Sequence, residues 1–117
     1  MSHLTELVDK FYQTDDANTK IRLVLEMIEY TITYPPSRAI ENYEISFVRR
    51  CVQRVIRIIE GRGEHLLADR INKIWKKREH LLQIAENAHH LKKDYMDDIE
   101  YHEEIMWLRN RIGEIPS

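Results

Sequence analysis

Glycine and proline are scarce, three of each in 117 residues. So few breakers exclude a fold of many short strands joined by tight turns and leave long helices as the expectation. Cysteine occurs once, at Cys51, which excludes an intramolecular disulfide and fits a reducing compartment. No apolar run approaches the roughly 18 residues that span a bilayer, and no charged-then-apolar leader is visible. An intracellular soluble protein without a membrane partner is therefore expected. What is present is 43% hydrophobic and 32% charged residues, a balance that belongs to folded chains rather than disordered ones. The length suits a single domain over 1–117, large enough to bury roughly two thirds of its unfolded surface around one core.

The net charge of −2 conceals an uneven distribution. Residues 1–48 carry four Lys/Arg and eight Asp/Glu, and residues 94–117 carry two and seven. Between them, residues 49–78 hold ten basic and three acidic side chains, a local excess of +7. A basic middle between acidic ends is the compositional feature most in need of a physical explanation.

Apolar periodicity divides the chain into helices. Leu4, Leu7, Val8 and Phe11 predict a helix over 2–13. Thr14-Asp15-Asp16 breaks it and offers an N-cap. Ile21, Val24, Leu25, Ile28 and Ile32, with Leu23 and Met27 beside them, predict a second helix over 16–33 with a broad apolar face. Tyr34-Pro35-Pro36 ends it, because a residue before proline is driven out of helical conformation. Ser37 then opens a short helix over 38–43. Ile45, Val48, Val52, Val55, Ile56 and Ile59 continue in helical phase, and a second apolar line through Phe47, Cys51 and Ile58 predicts that this helix is the central one. Gly61-Arg62-Gly63 is a stop, with Gly61 expected in the left-handed C-terminal position. Glu64 favours the next helix start through the dipole, and Leu67, Ile71, Ile74, Trp75, Leu82 and Ala85 carry that helix to about 89. Tyr95, Ile99 and Met106, with Ile105, Leu108 and Ile112 one row over, predict a last helix over 93–112. The fold class is all-α: a compact bundle of five to six helices with short connections.

The sequence holds little catalytic chemistry. Cys51 lies mid-helix on an apolar line, where cysteine acts as an inert small hydrophobe. Gly61-Arg62-Gly63 is a turn and not a phosphate loop. Glu86-x-x-His89 has the spacing of a di-iron half-site, and Asp98 and His102 stand four apart, but a di-iron bundle needs a second copy and two further glutamates. No enzyme activity, no metal and no cofactor are expected. Trp75 falls inward on its stripe and reads as core.

Residues 20–80 resemble the amino-terminal domain of the transcription elongation factor TFIIS, a helical module also found in elongin A and a Mediator subunit. The likeness rests on Leu25-Glu26-Met27-Ile28, Tyr34-Pro35, Ala39-Ile40-Glu41, Ile45-Ser46-Phe47-Val48, Val52-Gln53-Arg54, and Leu67-Ala68 followed by Ile71 and Trp75-Lys76-Lys77. The helix over 93–112 is extra to the minimal family bundle. The resemblance implies a nuclear interaction scaffold that captures short disordered acidic peptides with aromatic or aliphatic anchors. The contact surface expected here joins Tyr34 to Arg62, His65, Lys73, Lys76 and Lys77. Partner proteins with disordered acidic motifs are the first expectation for a ligand, with nucleic acid on the 49–78 segment second. A monomer is expected over a homodimer; the alternative of an oligomeric structural protein would place a seam along Ile99, Met106 and Ile112. The acids of the last helix, Asp94 to Glu104, are expected beside the basic helices.

Overall fold

The computed structural model describes residues 3–33, 42–87 and 98–114, and among these it contains five helices and no strand. They are α1 (His3–Gln13), α2 (Ala17–Thr33), α3 (Asn42–Gly61), α4 (His65–Asn87) and α5 (Asp98–Glu114). The 38–43 helix falls mostly outside the described residues; its last two positions belong to α3, which begins at Asn42. The last helix begins within the described residues at Asp98 and runs through Gly113, its expected stop, to Glu114, because a glycine in helical conformation does not by itself end a helix.

The caps explain the two described turns. Asp16 precedes α2, and its Oδ2 accepts from the Thr19 amide at 2.9 Å and from the Thr19 hydroxyl at 2.5 Å. These bonds favour the ionised form and hold the Asp16 carboxyl below its ordinary pKa. At the end of α3 the Gly63 amide donates to the Glu60 carbonyl at 2.9 Å and the Glu64 amide to the Ile59 carbonyl at 3.2 Å. This is the Schellman arrangement, and its left-handed residue is Gly63, with φ of 78°. Gly61, expected in that role, is the last helical residue instead.

The hub of the bundle is α2. It touches α1, α3, α4 and α5, whereas α3, expected at the centre, packs against α1, α2 and α4. The reason is visible in its burial: Ile21, Leu23, Val24, Leu25, Met27 and Ile28 are all buried, leaving Arg22 and Glu26 on a narrow exposed edge. Around it pack Leu4, Leu7, Val8 and Phe11 of α1, Ile45, Val48, Cys51, Val52, Val55 and Ile59 of α3, and Leu67, Ala68, Ile71, Ile74, Trp75 and Leu82 of α4. From α5 come Ile105, Leu108 and Ile112. Met106, expected among the apolar side chains of the last helix, is 58% exposed, because that trio fixes the phase and turns the neighbouring position outward. With Ile112 in the core, the Ile99, Met106 and Ile112 seam does not exist as one surface; Tyr95 and the side chain of Ile99 lie outside the described residues.

Ion pairs report the helix directions. Arg49, early in α3, meets Glu79, late in α4, so the two run antiparallel. Arg70 of α4 meets Glu104 of α5 while Glu64, six residues earlier, meets Arg111, seven residues later, so α4 and α5 run antiparallel; Arg109 of α5 also meets Glu29 of α2.

Truncating Ile28 to alanine removes a fully buried side chain at the hub and is expected to cost about 2–5 kcal/mol, whereas Arg22→Ala on the exposed edge should stay within about 0.5 kcal/mol. Urea denaturation followed by circular dichroism measures both. Equal effects at the two sites would contradict the central placement of α2.

Candidate functional site

The basic block of residues 49–78 separates into two populations once folded. One is consumed by the fold. Arg49 is half-buried against Glu79. Arg70 makes a two-pronged contact with Glu104, Nε to Oε1 at 2.7 Å and Nη2 to Oε2 at 2.6 Å, while its guanidinium stacks 3.5 Å from the Trp107 ring centroid. Planar stacking and the forked donor geometry are what arginine offers and lysine does not. Arg78 is only 3% exposed, and its Nη2 donates to the Thr31 carbonyl in the last turn of α2, where a cation also complements the helix dipole. Glu64, expected to favour the start of α4, also accepts from Arg111 of α5 at 2.6 and 2.8 Å.

The second population faces outward. Arg50, Arg54 and Arg57 on α3 and Lys76 on α4 are exposed and make no ion pair among the described residues. Lys73 pairs with Asp69 at 3.0 Å, one helical turn away and well exposed, so the contact contributes little. Lys77 is exposed as well. Arg62 in the α3–α4 turn donates to the Asn18 side chain at 2.7 Å and is otherwise exposed.

The structure therefore places the predicted contact residues as follows. Lys73, Lys76 and Lys77 form one cluster on the outer face of α4. Arg62 and His65 sit at the turn that begins α4, about 16 Å along the axis from Lys76. Tyr34 lies outside the described residues, as do His89 and the side chain of Glu86 from the metal half-site. Among the described residues no group of three His, Cys, Asp or Glu side chains is arranged to hold a metal ion. The acidic last helix contributes one described contact to the basic helices, Glu104 with Arg70; Glu103 is exposed, and Asp94 and Asp97 lie outside the described residues.

Leu66 was not singled out by periodicity, yet it is 65% exposed. The phase of Leu67, Ile71, Ile74 and Trp75 puts it outward, in the same row as Lys73 and Lys77, seven and eleven residues on. An apolar side chain thus stands at the turn end of the lysine cluster. Trp75 is buried, with its Nε1 unpartnered among the described residues.

Between α2 and α5 an open cleft of about 300 Å³ is lined by Arg22, Leu25, Glu26, Arg109, Ile112 and Gly113. None of the five described contact residues, Arg62, His65, Lys73, Lys76 and Lys77, lines it. No described helix is long and apolar enough to cross a membrane.

Cys51 is buried in the core, and burial pushes its thiol up to about 11 against the weaker opposing pull of the Tyr12 hydroxyl, Lys20 and Arg54. At neutral pH almost none of it is thiolate. Alkylation of the native protein by iodoacetamide at pH 7.5 should be negligible by mass spectrometry and become rapid in denaturant; fast native labelling would show a reachable, activated thiol.

Comparisons with family models, with curated proteins and with solved structures return no match for this chain.

Proposed function

We propose that the protein is a non-enzymatic interaction module whose α4 outer face captures a disordered acidic segment of a partner protein. The observation that carries this reading is the row in which Leu66 stands fully outward with Lys73 and Lys77, and Lys76 beside them. Such a row offers an apolar anchor point and cations that orient an anionic chain without requiring the core to open. Arg62 and His65 extend it at the turn end. A disordered ligand loses conformational freedom on binding, so a modest affinity with strong charge dependence fits this surface.

The likeness of residues 20–80 to the TFIIS amino-terminal domain supports the same reading and supplies its setting: partners among transcription elongation factors, and a nuclear location. Within that reading the chain acts as a monomer and needs no cofactor.

The test is the binding of fluorescent acidic peptides, each carrying one leucine or phenylalanine, followed by anisotropy. Reversing Lys73, Lys76 and Lys77 to glutamate should weaken capture by more than about tenfold with helicity unchanged, and Leu66→Ser should weaken it less. Capture that survives the triple reversal would place the ligand elsewhere or remove the function.

A further inference from the structure

The cations on α3 differ in kind and surroundings from those on α4. All three outward cations of α3, Arg50, Arg54 and Arg57, are arginines, whereas Lys73, Lys76 and Lys77 on α4 are lysines. Helical phase sets Arg50, Arg54 and Arg57 on one arc with Tyr43, seven residues before Arg50. Tyr43 is 54% exposed and meets Phe47 edge-on at 5.9 Å, which steadies its ring while leaving a face open. Across the α1–α3 junction Tyr12 is 50% exposed. Its hydroxyl bonds the Cys51 sulfur, and Arg50 and Arg54 are near enough to act on it electrostatically.

The fold thus assembles what no single stretch of sequence displays: two half-exposed aromatic rings interleaved with three guanidinium groups that no described carboxylate neutralises. We propose that this α3 ridge binds a short single strand of nucleic acid, the guanidiniums on phosphates and the tyrosines under bases. This surface is separate from the lysine row of α4 and stands whether or not that row captures a peptide.

Two features, the exposed rings and the choice of arginine, favour a nucleotide chain over an acidic peptide here. Tyr43 and Tyr12 are both half-exposed beside the arginines, and the cleft between α2 and α5 includes none of the ridge residues. A base is flat and needs only a face on which to stack. Arginine's planar fork matches phosphate and can itself stack on a base. The unstacked bases of a single strand can use the rings, whereas those of a duplex cannot. The ridge is also short. Tyr43 to Arg57 spans about 21 Å of helix, near the lower end of the roughly 4–16 nucleotides that single-strand binders cover. Exposed Glu60 beyond Arg57 and exposed Asp9 on α1 limit it, so a long polyanion gains nothing past these points.

Anisotropy with a labelled uridine oligonucleotide of about ten nucleotides and the full chain tests this. Saturable binding is expected at low salt. The affinity should fall with a log–log salt slope of about −2, the value for roughly three phosphate contacts on a single strand. The R50E/R54E/R57E chain should lose more than about tenfold in affinity with an unchanged melting curve, since all three side chains are exposed and free of described ion pairs. Tyr43→Ala should cost roughly five- to a hundredfold, as loss of one stacked base does, while Tyr43→Phe restores binding because the ring is kept. The opposite results are equally plain. Absence of saturable binding, indifference to Tyr43→Ala, equal affinity for a duplex, or equal capture of an oligoglutamate peptide that the arginine reversals abolish would each overturn the assignment.

Discussion

The bundle is organised by the burial of α2. It packs against every other described helix, and its buried apolar side chains fill the space between them. Fully burying residues such as Ile21, Val24, Met27 and Ile28 contributes about 1.5–3 kcal/mol each, far more than any of the surface ion pairs. Both ends of the helix are secured by other means. Asp16 satisfies amide donors at the start, and buried Arg78 reaches the Thr31 carbonyl in the last turn. A buried guanidinium is costly unless it is hydrogen-bonded, so this contact constrains where the α4 backbone can lie beside α2.

Around that hub, helical phase decides the fate of each charge. Arg49, Arg70 and Arg111 fall at the flanks of their helices, where a neighbour's carboxylate is within reach, and they become interhelical clamps on Glu79, Glu104 and Glu64. Arg50, Arg54 and Arg57 fall on the outward arc of α3 and Lys73, Lys76 and Lys77 on that of α4, away from those partners. The +7 of the 49–78 block is therefore not one patch. It is a set of clamps plus two separate outward rows, one of arginines beside tyrosines and one of lysines beside a leucine.

Much of the fold is legible in the sequence because it depends on local periodicity. The described side chains of the α1, α2 and α4 stripes are buried as predicted, and Trp75 falls inward as its spacing requires; those of Ile32 and Ala85 lie outside the described residues. Where two apolar rows compete, as at Ile105 and Met106, periodicity alone does not decide which one meets the core; the neighbouring helix does. Gly61 and Gly63 are chemically alike, and only the hydrogen bonds to Ile59 and Glu60 single out Gly63 as the left-handed one. The candidate surfaces are harder still. That Lys76 is outward follows from the α4 stripe, but the pairing of Arg70 with Glu104, 34 positions away, depends on tertiary placement. So does the approach of Tyr12 to Arg50 and Arg54, which brings aromatic rings to a basic arc on which the α3 sequence alone supplies few.

Native-state hydrogen exchange of the intact chain addresses the central claim directly. If α2 is the hub, the amides of Val24, Leu25, Met27 and Ile28 exchange only through global unfolding, with the highest protection in the protein, above those of α1 and α5. Exchange of the α2 amides through local openings, while α3 and α4 remain protected, would show that the bundle is held together elsewhere and would contradict the account.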